Sequence, residues 1–154
     1  KGGGDKERVC AYGASYGAYA SYMLAVREPD MLRCVIGYVG VYDLNIMYSS
    51  GDIPDSWGGT GFLERVIGRD QVELTEFSPV THASKIKAAT MIIHGESDDR
   101  APIDHAYKMR AALREANIDP EWLILEESGH GAGNLTNRLI LYEALLGFLE
   151  REIR

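Results

Sequence analysis

Cysteine is scarce: Cys10 and Cys34 are the only two in 154 residues. Neither belongs to a Cys-x-x-Cys pair or to a Cys/His spacing that holds zinc, so a zinc-built fold is excluded. Both fall in predicted buried strands. Thiols there are more often core fillers than disulfide or metal partners, and core packing is the expectation for both. They leave the compartment open. Long apolar runs are lacking as well, with nothing near the ~18 residues that span a bilayer. Positive charge is in deficit: 16 Lys and Arg against 23 Asp and Glu give a net charge of −7, which argues against nucleic acid as a partner. It does not identify a substrate. No internal repeat, low-complexity tract or signal peptide is visible. The last absence carries no weight, because the sequence opens Lys1-Gly2-Gly3-Gly4 instead of with Met. Nothing calls for a metal or a cofactor.

What is present is ordinary globular composition, 45% hydrophobic and 25% charged, at the length of one domain. Strand-like and helix-like segments alternate. Strands are predicted at 7–12, 34–40, 91–94 and 121–125. Helices are predicted at 16–27, 103–116 and, long and amphipathic, at 135–152. Between 43 and 81 the pattern weakens into glycine- and proline-marked loops, with a short helix near 62–67. Strands alternating with helices mean an α/β fold, a mostly parallel sheet of about four strands with helices on both faces. Loops at the carboxyl ends of such strands are where chemistry collects.

The segment Tyr12-Gly13-Ala14-Ser15-Tyr16-Gly17-Ala18 is a G-x-S-x-G run between a strand and a helix. A nucleophile elbow needs that context: a strand ending in a sharp turn, a strained serine at its apex and a helix starting at once. Gly13 and Gly17 are expected to flank it because a Cβ at either would collide with a neighbouring element. Free N–H groups at the helix start would favour an anion beside Ser15. The plain alternative is a strand-turn-helix corner with a polar residue in it.

Two later segments bear on that choice. Met91-Ile92-Ile93-His94-Gly95 ends in an acidic loop holding Glu96, Asp98 and Asp99. Glu121-Trp122-Leu123-Ile124-Leu125 leads to Ser128-Gly129-His130-Gly131. A serine hydroxyl needs a base, histidine titrates in the working range, and a carboxylate fixes the imidazole tautomer. Serine, acid and histidine follow three strands in the order this elbow uses. Taken alone, either acid reads as a loop or capping residue and His130 as a turn residue. His82, His94 and His105 have no partner pattern and read as surface or loop residues. Tyr12, Tyr19 and Tyr22 read as packing, and Arg100 as orienting the acid loop or as solvated.

Four segments together resemble the prolyl oligopeptidase family of serine peptidases, in its acylaminoacyl-peptidase and dipeptidyl-peptidase-like branches. They are 12–20, Ser78-Pro79-Val80-Thr81-His82-Ala83, 92–102, and Ser128-Gly129-His130-Gly131. The resemblance implies the C-terminal portion of an α/β-hydrolase catalytic domain over residues 1–154. It implies a triad of Ser15, Asp98 and His130, with Asp98 preferred to Asp99 because Arg100 and Pro102 follow it at the family's spacing. It implies an oxyanion donor in the Tyr16 N–H, a substrate pocket at Val41, Leu44 and Tyr48, and a peptide substrate.

The same resemblance implies several strands and a propeller ahead of the elbow strand, where only eight residues precede Val9. The loop that supplies a second oxyanion donor lies in that upstream part, and losing one donor costs about 10²–10³ in rate. The elbow strand is then expected at a sheet edge, where unpaired backbone invites a homo-oligomer. Three readings follow: a serine peptidase acting through an acyl-enzyme, an esterase using the same tetrahedral species, or an inactive hydrolase domain that assembles.

Overall fold

The computed structural model describes residues 5–154. Its centre is one sheet of four parallel strands in the order β1-β2-β3-β4: β1 (Cys10–Ala14), β2 (Cys34–Tyr38), β3 (Ala89–Gly95) and β4 (Glu121–Leu125). Chain order equals spatial order, and the strands run parallel because each connection is a crossover carrying a helix. Long helices are α1 (Tyr16–Arg27), α6 (Asp104–Glu115) and α7 (Leu135–Glu152). Four short ones occupy the excursion between β2 and β3: α2 (Ile46–Ser49), α3 (Asp52–Asp55), α4 (Gly59–Ile67) and α5 (Gln71–Glu76).

The alternation of side chains along each strand divides the core into two. Val35 and Ile92 point to one face and meet Tyr22, Ala25 and Val26 of α1 and Ala106, Met109 and Leu113 of α6. Cys34, Ile36, Met91 and Ile93 point to the other face and meet Leu141 and Phe148 of α7. Helices therefore cover both faces, as a buried parallel sheet requires. The short helices build a third cluster from Val41, Leu44, Met47, Leu63 and Leu74.

Several expectations need correcting. Cys10 and Cys34 are not free core thiols. They are direct partners in the β1–β2 register, 4.6 Å apart at Cα, and form a disulfide. Cys34 is buried as expected, but β1 is an edge strand in which Cys10 is only partly buried, and which residues of the two strands face each other was not legible in the sequence. The weakly patterned stretch holds four helices in place of one; α2 and α3, of four residues each, are too short to show a periodicity. In α7 the apolar residues run round more than one side. Leu135, Leu139, Tyr142 and Leu146 are exposed at helical spacing while Leu141 and Phe148 are buried. No helix among the described residues is long and apolar enough to cross a membrane.

The expected edge position of the elbow strand is what the sheet order shows: β1 pairs only with β2 among the described residues.

Candidate active site

β1 ends at Ala14 and α1 begins at Tyr16, so Ser15 alone makes the turn. Its φ of 54° and ψ of −120° place a non-glycine residue in a sparsely populated region. The turn is held by the Ser15 N–H, which donates to Tyr38 O at 2.8 Å, and by Ala18 N–H returning to Ser15 O at 3.0 Å. Gly13 is the residue that permits it. A Cβ there would run into the Gly17 carbonyl, which is backbone and has nowhere to rotate. Gly17 differs from expectation: no described heavy atom lies within 4 Å of a Cβ placed on it. The close approach is one-sided, Gly13 making room for the backbone of Gly17.

The Ser15 hydroxyl lies 2.9 Å from His130 Nε2. On the far side of the ring, His130 Nδ1 is 3.0 and 2.9 Å from the two carboxylate oxygens of Asp98. Asp98, not Asp99, is therefore the acid that meets the histidine. Its Oδ1 also accepts from the Arg100 and Ala101 N–H groups, both at 2.9 Å. The side chain is fully shielded from solvent. Burial alone would raise its pKa. The His130 hydrogen bond, the Ala101 N–H and the two histidines beside it outweigh that, and the carboxyl lies below its ordinary value.

Neighbouring loops aim these groups. Gly95 ends β3 where a Cβ would strike the Gly129 carbonyl, so the acid and histidine loops approach backbone to backbone. Ser97 N–H donates to Ser128 O at 2.9 Å. Asn137, in the first turn of α7, donates to Glu126 O at 2.9 Å and to the Ser128 hydroxyl at 2.7 Å. Sequence reading passed over Asn137. Its signal was a lone amide in the first turn of a helix, seven positions after His130.

A cavity of about 300 Å³ opens beside Ser15 and Tyr16. Val41 and Leu44 line it as expected, joined by Met47, Phe62, Leu63 and Val66. No acidic side chain lines it, and Arg100 stands at its wall. Tyr48 does not line it. Its hydroxyl binds the Gly68 carbonyl and its ring packs into the third cluster. The Arg100 guanidinium pairs with Asp52 at 2.8 Å instead of with Asp98.

His94 and His105 correct another expectation: both are wholly buried. Burial pushes the His105 ring down to about 4, and the neighbouring His94 adds to the effect. His94 is lowered as well, again chiefly by burial. In the unfolded chain such rings titrate near pH ~6.5. Below that pH the unfolded state takes up a proton that the folded state refuses, so stability falls as pH drops from about 6.5 towards about 4. For His105 alone the loss is on the order of 3 kcal/mol. Urea unfolding at neutral pH and near pH 4.5 measures it. Equal midpoints would contradict buried neutral rings.

The model of the prolyl oligopeptidase family matches residues 1–154. The chain belongs to that family. The family is one of serine peptidases, and the chain's relatives are named as dipeptidyl peptidases and acylamino-acid-releasing enzymes. Dipeptidyl aminopeptidase BIII of Pseudoxanthomonas mexicana is 28% identical over 152 residues, covering 94% of this chain and 22% of that protein. An acylaminoacyl peptidase of Pyrococcus horikoshii superposes with a TM-score of 0.88 at 26% identity, covering 97% of this chain and 25% of that one. An acylaminoacyl peptidase in complex with Z-Gly-Gly-Phe-chloromethyl ketone superposes with a TM-score of 0.84 at 26% identity, over 97% and 24% of the two chains. This prolyl oligopeptidase-family chain thus spans about a quarter or less of the relatives it matches.

Proposed function

We propose that this chain carries the reacting part of a serine peptidase, the C-terminal portion of an α/β-hydrolase catalytic domain. Ser15 is the nucleophile, His130 the base and Asp98 its orienting acid. The observation that carries the reading is the unbroken hydrogen-bond chain from Ser15 Oγ through His130 to the buried Asp98. His130 Nε2 takes the Ser15 proton as Oγ attacks the peptide carbonyl. The carbonyl electrons move onto oxygen, and the Tyr16 N–H, free at the start of α1, donates to that oxyanion. His130 then gives the proton to the leaving nitrogen, the C–N bond breaks, and an acyl ester remains on Ser15. Water, deprotonated by the same ring, releases it. Asp98 stays ionised throughout, because its carboxyl already lies below the ordinary range.

The cavity beside Ser15 would take the side chain on the acyl side of the cut bond. Its lining of Val41, Leu44, Met47 and Phe62 suits a bulky apolar group, and it has no acid to neutralise a basic one. The Phe of Z-Gly-Gly-Phe-chloromethyl ketone in the similar acylaminoacyl peptidase complex is a group of that kind. Esters share the tetrahedral species, so ester cleavage accompanies this reading.

A fluorophosphonate probe tests it. Wild-type chain becomes labelled and Ser15→Ala does not. Acyl-phenylalanine and acyl-leucine esters turn over faster than acyl-arginine ones. An unlabelled wild type, folded by circular dichroism, would sink the proposal.

The edge of β1 supports a second expectation. Tyr12 is exposed on β1 at the unpaired strand edge with Tyr142 of α7 near it, and Leu139 and Leu146 are exposed on the same helix. A dimer or larger assembly through that face would cover both. Light scattering at micromolar concentration should return at least twice the chain mass, and a clean monomer would remove this expectation.

A further inference from the structure

Behind the acid loop lie two histidines that the proposed reaction does not use. His94 is the penultimate residue of β3 and His105 the second residue of α6. Both are fully shielded from solvent. Their partners fix where each neutral ring carries its proton. His105 Nδ1 faces two donors, the Tyr42 N–H at 3.2 Å and the Asp43 N–H at 3.3 Å. A nitrogen that receives N–H groups is unprotonated, so the His105 proton is on Nε2. His94 Nε2 lies 2.8 Å from Ala101 O. A carbonyl only accepts, so His94 is protonated there and bare at Nδ1.

Two atoms are then left over, and each is what the other lacks. His105 Nε2 is a buried donor without a partner and His94 Nδ1 a buried acceptor without one, among the described residues. Buried polar groups rarely remain unmet in folded proteins. The rings sit on elements that pack together, β3 and α6. His94 is the largest charge effect on His105 after burial itself.

We propose that His105 and His94 form a neutral imidazole relay, His105 Nε2–H linked to His94 Nδ1 with at most one water between them, which positions the Asp98 loop. The inference rests on the reading of Ser15, His130 and Asp98 given above. The relay begins at the backbone of Tyr42 and Asp43, next to the cavity wall of Val41 and Leu44. It ends at Ala101, whose carbonyl takes the His94 proton and whose N–H holds Asp98 Oδ1. His94 Nε2 also lies 3.5 Å from Asp98 Oδ2. The loop that grips the substrate side chain and the loop that carries the acid are thereby tied together. The charged groups in reach are Asp98 and His130 beside His94, and Asp43, Asp98 and Lys108 beside His105. Both histidines are positioning residues, acting on His130 only through Asp98.

Two substitutions each remove one end of the link and keep the ring's other bond. His105→Asn retains an acceptor for the Tyr42 and Asp43 N–H groups but loses the Nε2–H. His94→Gln retains a donor for Ala101 O but loses the acceptor. Each should slow fluorophosphonate labelling of Ser15 by about tenfold, and the double variant should lose no more than either single one, since both cut the same link. Losses that multiply would overturn the proposal. Imidazole nitrogen-15 spectra of the wild-type chain provide an independent reading. Both rings should appear as neutral Nε2–H tautomers from about pH 5 to about pH 8, and the His94 Nδ1 signal should move in His105→Asn. Protonation at His94 Nδ1, or titration of either ring in that window, would refute the relay. If the wild type fails to label at all, the peptidase reading falls, while the spectra still decide whether the relay exists.

Discussion

Asp98→Asn should lower the rate of Ser15 acylation by about 10⁴, with the fold intact. Two backbone N–H groups, of Arg100 and Ala101, already point at Oδ1. The carbonyl of an introduced Asn has to occupy that position, because the alternative sets an NH₂ group against two N–H donors. The NH₂ then faces His130 Nδ1, where a carboxylate oxygen stood at 2.9 Å. A donor there forces Nδ1 to accept, and the ring proton moves to Nε2. Nε2 is the atom 2.9 Å from Ser15 Oγ. Once protonated it has no lone pair for the serine proton, so the nucleophile stays a hydroxyl. Asp99→Asn provides the control. Its carboxylate is exposed and does not touch His130, so its rate should remain within a few-fold of wild type. Stopped-assay labelling with a fluorophosphonate, alongside circular dichroism of both variants, measures the difference. Equal rates for Asp98→Asn and wild type would show that His130 does not depend on this acid.

The contrast between Asp98 and Asp99 also marks how far sequence reading goes. The alternation of strands and helices was legible because strands buried on both faces read as short continuous apolar runs, and helices as longer segments with recurring apolar residues. β4 and α7 fall where those patterns end. The positions of serine, acid and histidine were legible because each follows a strand, and parallel strands deliver their carboxyl ends to one edge. What was not legible depends on side-by-side placement. Cys10 meets Cys34 through strand register. Tyr48 turns from the cavity to the Gly68 carbonyl because short helices pack it there. His94 and His105 looked like loop residues in one dimension. Their burial becomes apparent only when α6 folds against β3 and brings the backbone of Tyr42 and Asp43 to His105. Phe62 and Val66 belong to α4, which reaches the cavity from a segment with little pattern of its own.

The two glycines of the elbow motif should respond in opposite ways to the same substitution. Gly13→Ala places a methyl group inside the Gly17 carbonyl and close to the Ala18 nitrogen. Both are backbone, at the first turn of α1, so no rotamer change relieves the contact. Either α1 shifts away from β1 or the turn at Ser15 opens. The first loses packing of Tyr22, Ala25 and Val26 against the sheet. The second moves Ser15 Oγ from His130. Overpacking of this kind costs on the order of 3 kcal/mol, at the upper end because the obstacle is main chain. Labelling of Ser15 should disappear even in the molecules that remain folded. Gly17→Ala has open space for its methyl group and lies in a helix, where alanine is favoured over glycine by up to about 1 kcal/mol. Its stability should hold or rise, with labelling retained. Urea midpoints for the two variants, read beside their labelling, check both halves. If Gly13→Ala were as stable and as reactive as wild type, the strained turn at Ser15 would not depend on the close approach of β1 and α1.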